Sequence, residues 1–140
     1  FIPMLMDTGG NSGSQACVSI IRGISLNEIQ FRDIGRVVWK EIRVSVLCGI
    51  CLAVACFAKI VLVDMLLLKS ESVTYMVAFV VCVTMAVTVC LAKMVGSTLP
   101  LLAKKLGFDP AVMASPIITT IVDFLSLLVY FAFATSILPI

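Results

Sequence analysis

The run AVMASPIITTIVDFLSLLVYFAFATSIL, residues 111–138, decides how this chain is read. It is long enough to cross a bilayer, for which roughly 20 apolar residues suffice. One carboxylate, Asp123, sits at its middle. A charge at mid-bilayer costs about 2.5–3.5 kcal/mol even on lenient insertion scales. A residue that costly belongs on a substrate or ion path, or against a partner. Ser115, Thr119, Asp123, Ser126 and Tyr130 follow one another at spacings of 4, 4, 3 and 4. At helical periodicity all five fall within an arc of roughly 80°. The reading is a membrane helix carrying a polar stripe with an acid at its centre.

The rest of the chain agrees with a membrane setting. Its 140 residues are 61% hydrophobic and 13% charged, against about 45–50% and 25% for a soluble domain. The expected fold is an all-α integral membrane bundle forming a single domain, with spans near 1–21, 44–68, 73–92 (continuing towards 106) and 111–138. Between the first two, Arg22 to Arg43 reads as a short amphipathic helix on the membrane surface, opened by a Ser25/Glu28 capping box. Three Gly within DTGGNSGSQ, residues 7–15, predict a broken first helix, because each disfavours helix by about 1 kcal/mol relative to Ala. Irregular backbone at that depth survives only inside protein or beside a wet cavity. Lys59 and Asp64, five apart and so about 140° apart on an α-helix, are expected not to pair. Asp109-Pro110 is expected to cap and open the last span, after an interruption at Pro100 and a stop at Gly107.

Charge placement orients the spans. Residues 22–43 hold five Lys/Arg, residues 93–105 three, and the 69–72 turn one. The basic segments 22–43 and 93–110 are therefore expected in the cytoplasm, and the C-terminus outside. There is no His, which excludes Ser/His/Asp and Cys/His catalysis, and the chain is not expected to be an enzyme. Six Cys, including the CxxC of Cys48 and Cys51, read as small membrane-helix residues. The opening Phe1-Ile-Pro lacks a basic n-region, so the chain reads as a fragment without a signal peptide.

Phe1-Ile-Pro-Met-Leu-Met-Asp-Thr-Gly-Gly-Asn-Ser-Gly-Ser-Gln15 closely resembles the second transmembrane helix of the MgtE family of bacterial magnesium channels. Arg22-Gly23 with Leu26, Glu28 and Ile29 resembles the segment that follows. Asp109-Pro-Ala-x-x-Ala-Ser-Pro116-x-x-Thr-Thr-x-x-Asp123 resembles the fifth helix. The resemblance covers essentially the whole chain, as helices two to five. It implies a homodimer in the bacterial inner membrane with a pore on the two-fold axis, conducting hydrated Mg2+, with Mn2+, Co2+ or Ni2+ as further candidates. It implies a metal path of Asp123, Asn11, Gly9, Gly10, Ser115, Thr119 and Asp109, with Asp7, Gly13, Thr120 and Ser126 lining the pore. Relative to the family pattern, this stretch is expected to lack the first helix, the cytoplasmic N-terminal domain, the CBS domains and the plug helix. The expected partners are lipid, hydrated cations and a second copy, with no nucleic acid. A sodium- or proton-coupled transporter is the rival reading, since a lone membrane carboxylate beside a broken helix fits that class too. A structural subunit, with Asp123 bonded between helices, is a further one.

Overall fold

The computed structural model describes residues 1–69, 73–113 and 116–137. Among the described residues there are four α-helices: α1 (Ile2–Ser25), α2 (Ile34–Lys59), α3 (Tyr75–Lys105) and α4 (Pro116–Ile137). Short 3-10 turns, Phe31–Asp33 and Pro110–Met113, precede α2 and α4, and α2 runs on as a π-helix over Ile60–Leu67. No strand occurs among the described residues. Three helical stretches, Phe31–Leu67, Tyr75–Lys105 and Pro116–Ile137, are long and apolar enough to span a membrane. The fold is the expected all-α membrane bundle.

α3 is the central helix. Half of its most apolar window is buried, against 17% for α2 and 22% for α4. α1 packs against α3 and α4, and α2 packs on α3. Three apolar clusters stack along the bundle. Leu5, Cys56, Ile60, Ala78, Val81, Met85 and Val89 fill one end. Cys17, Ala92, Ile118 and Val122 fill the middle. Ile20, Ile24, Val37 and Leu101 fill the other end, covered by Ile29, Phe31 and Ile34. Lys105 Nζ lies 4.2 Å from the Phe31 ring centroid. The α1–α2 connection and the foot of α3 thus share one basic end of the bundle.

The break expected in α1 is absent: the helix runs unbroken through Gly9, Gly10 and Gly13. The glycines serve packing instead. A Cβ at Gly9 would meet Thr88 Cγ2 at 2.7 Å and Val122 Cγ1 at 3.0 Å, and one at Gly13 would meet the Ala92 carbonyl and Ile118 Cγ2, each at 3.0 Å. A Cβ on Gly96 of α3 would overlap the Gly13 carbonyl oxygen. Close backbone approach between membrane helices offsets the poor helix propensity of glycine.

No separate amphipathic helix lies over 22–43. α1 ends at Ser25, and Asn27 takes φ 56°. The Glu28 and Ile29 amides donate to the Gly23 carbonyl at 3.0 and 3.2 Å, closing the turn. From Ile34 the basic stretch is simply the first turns of α2. The capping box joins Gln30 and Asp33 rather than Ser25 and Glu28, and the Ser25 hydroxyl donates to the Ile21 carbonyl at 2.9 Å.

Lys59 and Asp64 do pair, at 2.7 Å. The π-helix is the reason, because i→i+5 closure brings residues five apart onto nearly one face. α3 passes through Pro100 without interruption, and Gly107 ends it at φ +82°. Asp109 does not open α4. Its Oδ1 accepts from the Ala111 amide at 2.9 Å, capping the Pro110–Met113 turn, and α4 begins at Pro116.

Lys93 is also displaced from its expected place. It is buried inside the bundle, twelve residues before the end of α3 at Lys105, or about 18 Å along the axis. The basic foot of α3 is therefore Lys104 and Lys105.

Candidate ion pathway

α1 has two unlike faces. Its small residues Gly9, Ser12, Gly13 and Ala16 are buried. Asp7, Asn11, Gln15 and Ser19, four apart, form an exposed polar line down the other side. Such a line is costly against lipid, so it calls for water or protein opposite.

Gly10 lies between these faces and sets the contact with α4. A Cβ there would stand 3.2 Å from Thr119 Cγ2 and 3.8 Å from Asp123 Oδ1. Asp123 therefore sits against α1 at the height of Gly10, on the flank of α4 and half-buried. Asp7 lies three residues before Gly10 on α1, on the exposed line. The Thr119 and Thr120 hydroxyls both donate to the Pro116 carbonyl, at 3.1 and 2.8 Å. Thr119 is half-buried beside Asp123, whereas Thr120 is on the open face.

The remaining expected residues separate from this group. Ser126 is 1% exposed, and its hydroxyl donates back to the Val122 carbonyl at 2.6 Å. Gly9 and Gly13 lie in the packing seams. Tyr130 packs in the cluster at the Phe1 end of the bundle. Asp109 is at the basic end, occupied with its turn. Ser115 lies outside the described residues. The structure thus brings together Gly10, Thr119 and Asp123, from α1 and α4, with Asp7 and Asn11 on the neighbouring exposed line of α1.

The other flank of α1 borders a groove of about 310 Å3. It is lined by Asp7, Thr8, Asn11, Ser12 and Gln15 of α1, Cys48 and Leu52 of α2, and Lys93 of α3. Lys93 Nζ lies 3.9 Å from Glu41 Oε2, with side chains 10% and 11% exposed. Sequence reasoning missed this pair, since its partners are far apart in the chain. No one-dimensional signal gave it, since Glu41 sits in the basic start of α2 and Lys93 at the edge of an apolar run.

The donors along α1 and α4 are hard oxygens: two carboxylates, amides and hydroxyls. No group of three or more His, Cys, Asp or Glu gathers among the described residues. A set so sparse fits a cation that keeps its own water shell. Mg2+ is such an ion, as it dehydrates reluctantly and is met by few carboxylates.

The sequence profile of MgtE, described as a divalent cation transporter, matches residues 2–133. The chain is 34% identical over 136 residues to the magnesium transporter MgtE of Bacillus subtilis, covering 97% of this chain and 28% of that protein. With the magnesium transporter MgtE of Thermus thermophilus it is 34% identical over 138 residues, covering 99% and 29%. With that of Enterococcus faecalis it is 30% identical over 135 residues, covering 96% and 28%. The chain therefore spans somewhat more than a quarter of the length of these relatives.

Proposed function

The chain belongs to the MgtE family of divalent cation transporters, and from that premise we propose that it passes hydrated Mg2+ along the polar faces of α1 and α4, through a pore where two copies meet. The observation that carries this reading is the close approach of Gly10 on α1 to Thr119 and Asp123 on α4, beside the exposed polar line of Asp7, Asn11, Gln15 and Ser19 in an otherwise apolar bundle. Where two copies meet, their Asp123 carboxylates repel each other when both are ionised. A divalent cation between or beside them removes that repulsion.

A second copy related by a two-fold axis covers the strip and doubles the carboxylates. Mg2+ holds its ligands octahedrally at about 2.0–2.1 Å. Asp123 and Asp7 accept hydrogen bonds from its waters, and Asn11 and the Thr119 hydroxyl extend the polar wall. Gly10, lacking a side chain, keeps α1 close to Asp123 and the path open. A transit site must also release its ion, which a few outer-sphere carboxylates permit. Mn2+, Co2+ and Ni2+ are further candidates for passage. The ion path ends at the basic, cytoplasmic end, where Asp109 offers a weaker carboxylate at the mouth.

The test is flux into liposomes carrying a Mg2+-sensitive dye, with and without a sodium or proton gradient. Asp123→Asn keeps the size of the side chain and removes the charge, and is expected to abolish flux while the dimer persists. Asp123→Glu is expected to retain conduction with altered preference among divalents. Flux that required a sodium or proton gradient would favour a coupled transporter. Robust Mg2+ flux through the Asn variant would overturn the mechanism.

A further inference from the structure

The outer face of α2 carries a feature the ion path does not use. Arg36, Lys40, Arg43 and Leu47 follow at spacings of four, three and four, so they share one face. All four are exposed. A cavity of about 370 Å3 lies there, lined by Lys40, Arg43, Val44 and Leu47. The ion pairs among the described residues are Lys59–Asp64 and Lys93–Glu41, so no described carboxylate pairs with Lys40 or Arg43. Below them the exposed face is entirely apolar: Leu47, Ile50 and Val54 are 67%, 56% and 64% exposed. Trp39 is 63% exposed beside Lys40, where an indole suits the headgroup level.

We propose that the Lys40/Arg43 cavity on α2 binds one anionic phospholipid, its phosphate between the two cations and an acyl chain along Val44, Leu47, Ile50 and Val54. The charge is complementary, because an unpaired Lys and Arg one turn apart answer a phosphodiester. The length is complementary as well. Val44 to Val54 rises about 15 Å, which is half of a hydrocarbon core about 30 Å thick. The site therefore reads one leaflet, the one at the basic end of the bundle. A zwitterionic lipid offers the same chains and no net charge, so it fits less well. A free phosphate leaves the apolar half of the face uncovered.

The experiment is native mass spectrometry of the purified protein in non-ionic detergent, titrated with phosphatidylglycerol, phosphatidylcholine or glycerol phosphate. One phosphatidylglycerol per chain is expected to bind in preference to phosphatidylcholine, with no competition from glycerol phosphate. The double variant Lys40→Gln/Arg43→Gln is expected to bind it roughly thirtyfold more weakly, whereas Arg32→Gln changes binding little. Circular dichroism confirms that the variants keep their helicity, since the altered side chains are exposed. Equal phosphatidylglycerol binding by the double variant, equal binding of the two lipids, or competition by glycerol phosphate would overturn the proposal. So would disulfide cross-linking between two copies that appears only with Leu47→Cys, which would give this face to a protein partner.

Discussion

Replacing Gly96 by Ala tests the seam between α1 and α3 that holds α1 in place. Two terms oppose each other. Ala favours a helix interior by about 1 kcal/mol over Gly. Against this, the new Cβ overlaps the carbonyl oxygen of Gly13, with the Gly13 carbonyl carbon and Cα at 2.9 and 3.1 Å. The obstacle is backbone, so no rotamer change relieves it. Carbon atoms rest about 3.5–4.0 Å apart, so α1 and α3 must part by roughly 1 Å, which forfeits a quarter to a half of the contact energy across the gap. The cluster of Cys17, Ala92, Ile118 and Val122 lies beside that gap. Overpacking of this kind costs about 1–3 kcal/mol, and an unyielding backbone puts Gly96 at the top of that range. The net loss is about 2 kcal/mol, or roughly 8 °C at about 4 °C per kcal/mol. Fluorescence-detected size exclusion after stepwise heating in detergent reads that shift. Gly35→Ala is the control, because its Cβ would meet nothing within 4 Å, and it is expected to melt at or slightly above the parent temperature. A Gly96→Ala protein melting with the parent would refute the backbone-to-backbone seam.

Other perturbations address the strip and the buried pair. Asp7→Asn is expected to weaken the Mg2+ dependence of flux roughly tenfold, about 1.4 kcal/mol, less than the effect of Asp123→Asn. An unchanged half-saturating concentration would remove Asp7 from the path. Gly10→Leu places a side chain against Thr119 and Asp123, and is expected to block flux while cross-linking still reports dimers. Lys93→Met leaves Glu41 buried without its cation and is expected to cost about 3 kcal/mol, measured as a lowered melting temperature. The double variant Glu41→Met/Lys93→Met is expected to recover most of that loss. A double variant no more stable than Lys93→Met would mean that the pair is not coupled.

The membrane class, the helical bundle and the place of Asp123 in a helix were legible because composition and 3.6-residue periodicity are one-dimensional properties. What sequence could not show is set by contacts across helices. Gly9, Gly10 and Gly13 read as a break because propensity counts each residue alone, whereas their partners Thr88, Val122, Thr119 and Gly96 lie on α3 and α4. Lys59 and Asp64 read as mismatched because an α-helix would hold them on different faces, and the π-turn changes that angle. Ser126 has the right period for the stripe, yet Val122 and Ser126 face inward and Thr119 and Asp123 lie on the flank. An arc of 80° is wide enough to straddle that boundary. Lys93 reads as part of the basic segment 93–110 because charge counting ignores burial, although the helix is expected to continue towards 106, and its side chain lies inside the bundle.

The two-faced character of α1 bears on how the protein is made. α1 is not among the stretches apolar enough to span a membrane by hydropathy, because Asp7, Asn11, Gln15 and Ser19 occupy its outer line. Its glycine face gains most from α3 and α4, which are synthesised after it. Insertion driven by partition into lipid alone is therefore weak for this segment. The nascent helix gains its buried contacts only when the later helices arrive to receive it. Seating of the bundle then runs against the order of the chain: the segment with the exposed polar line emerges before the helices that bury its other face.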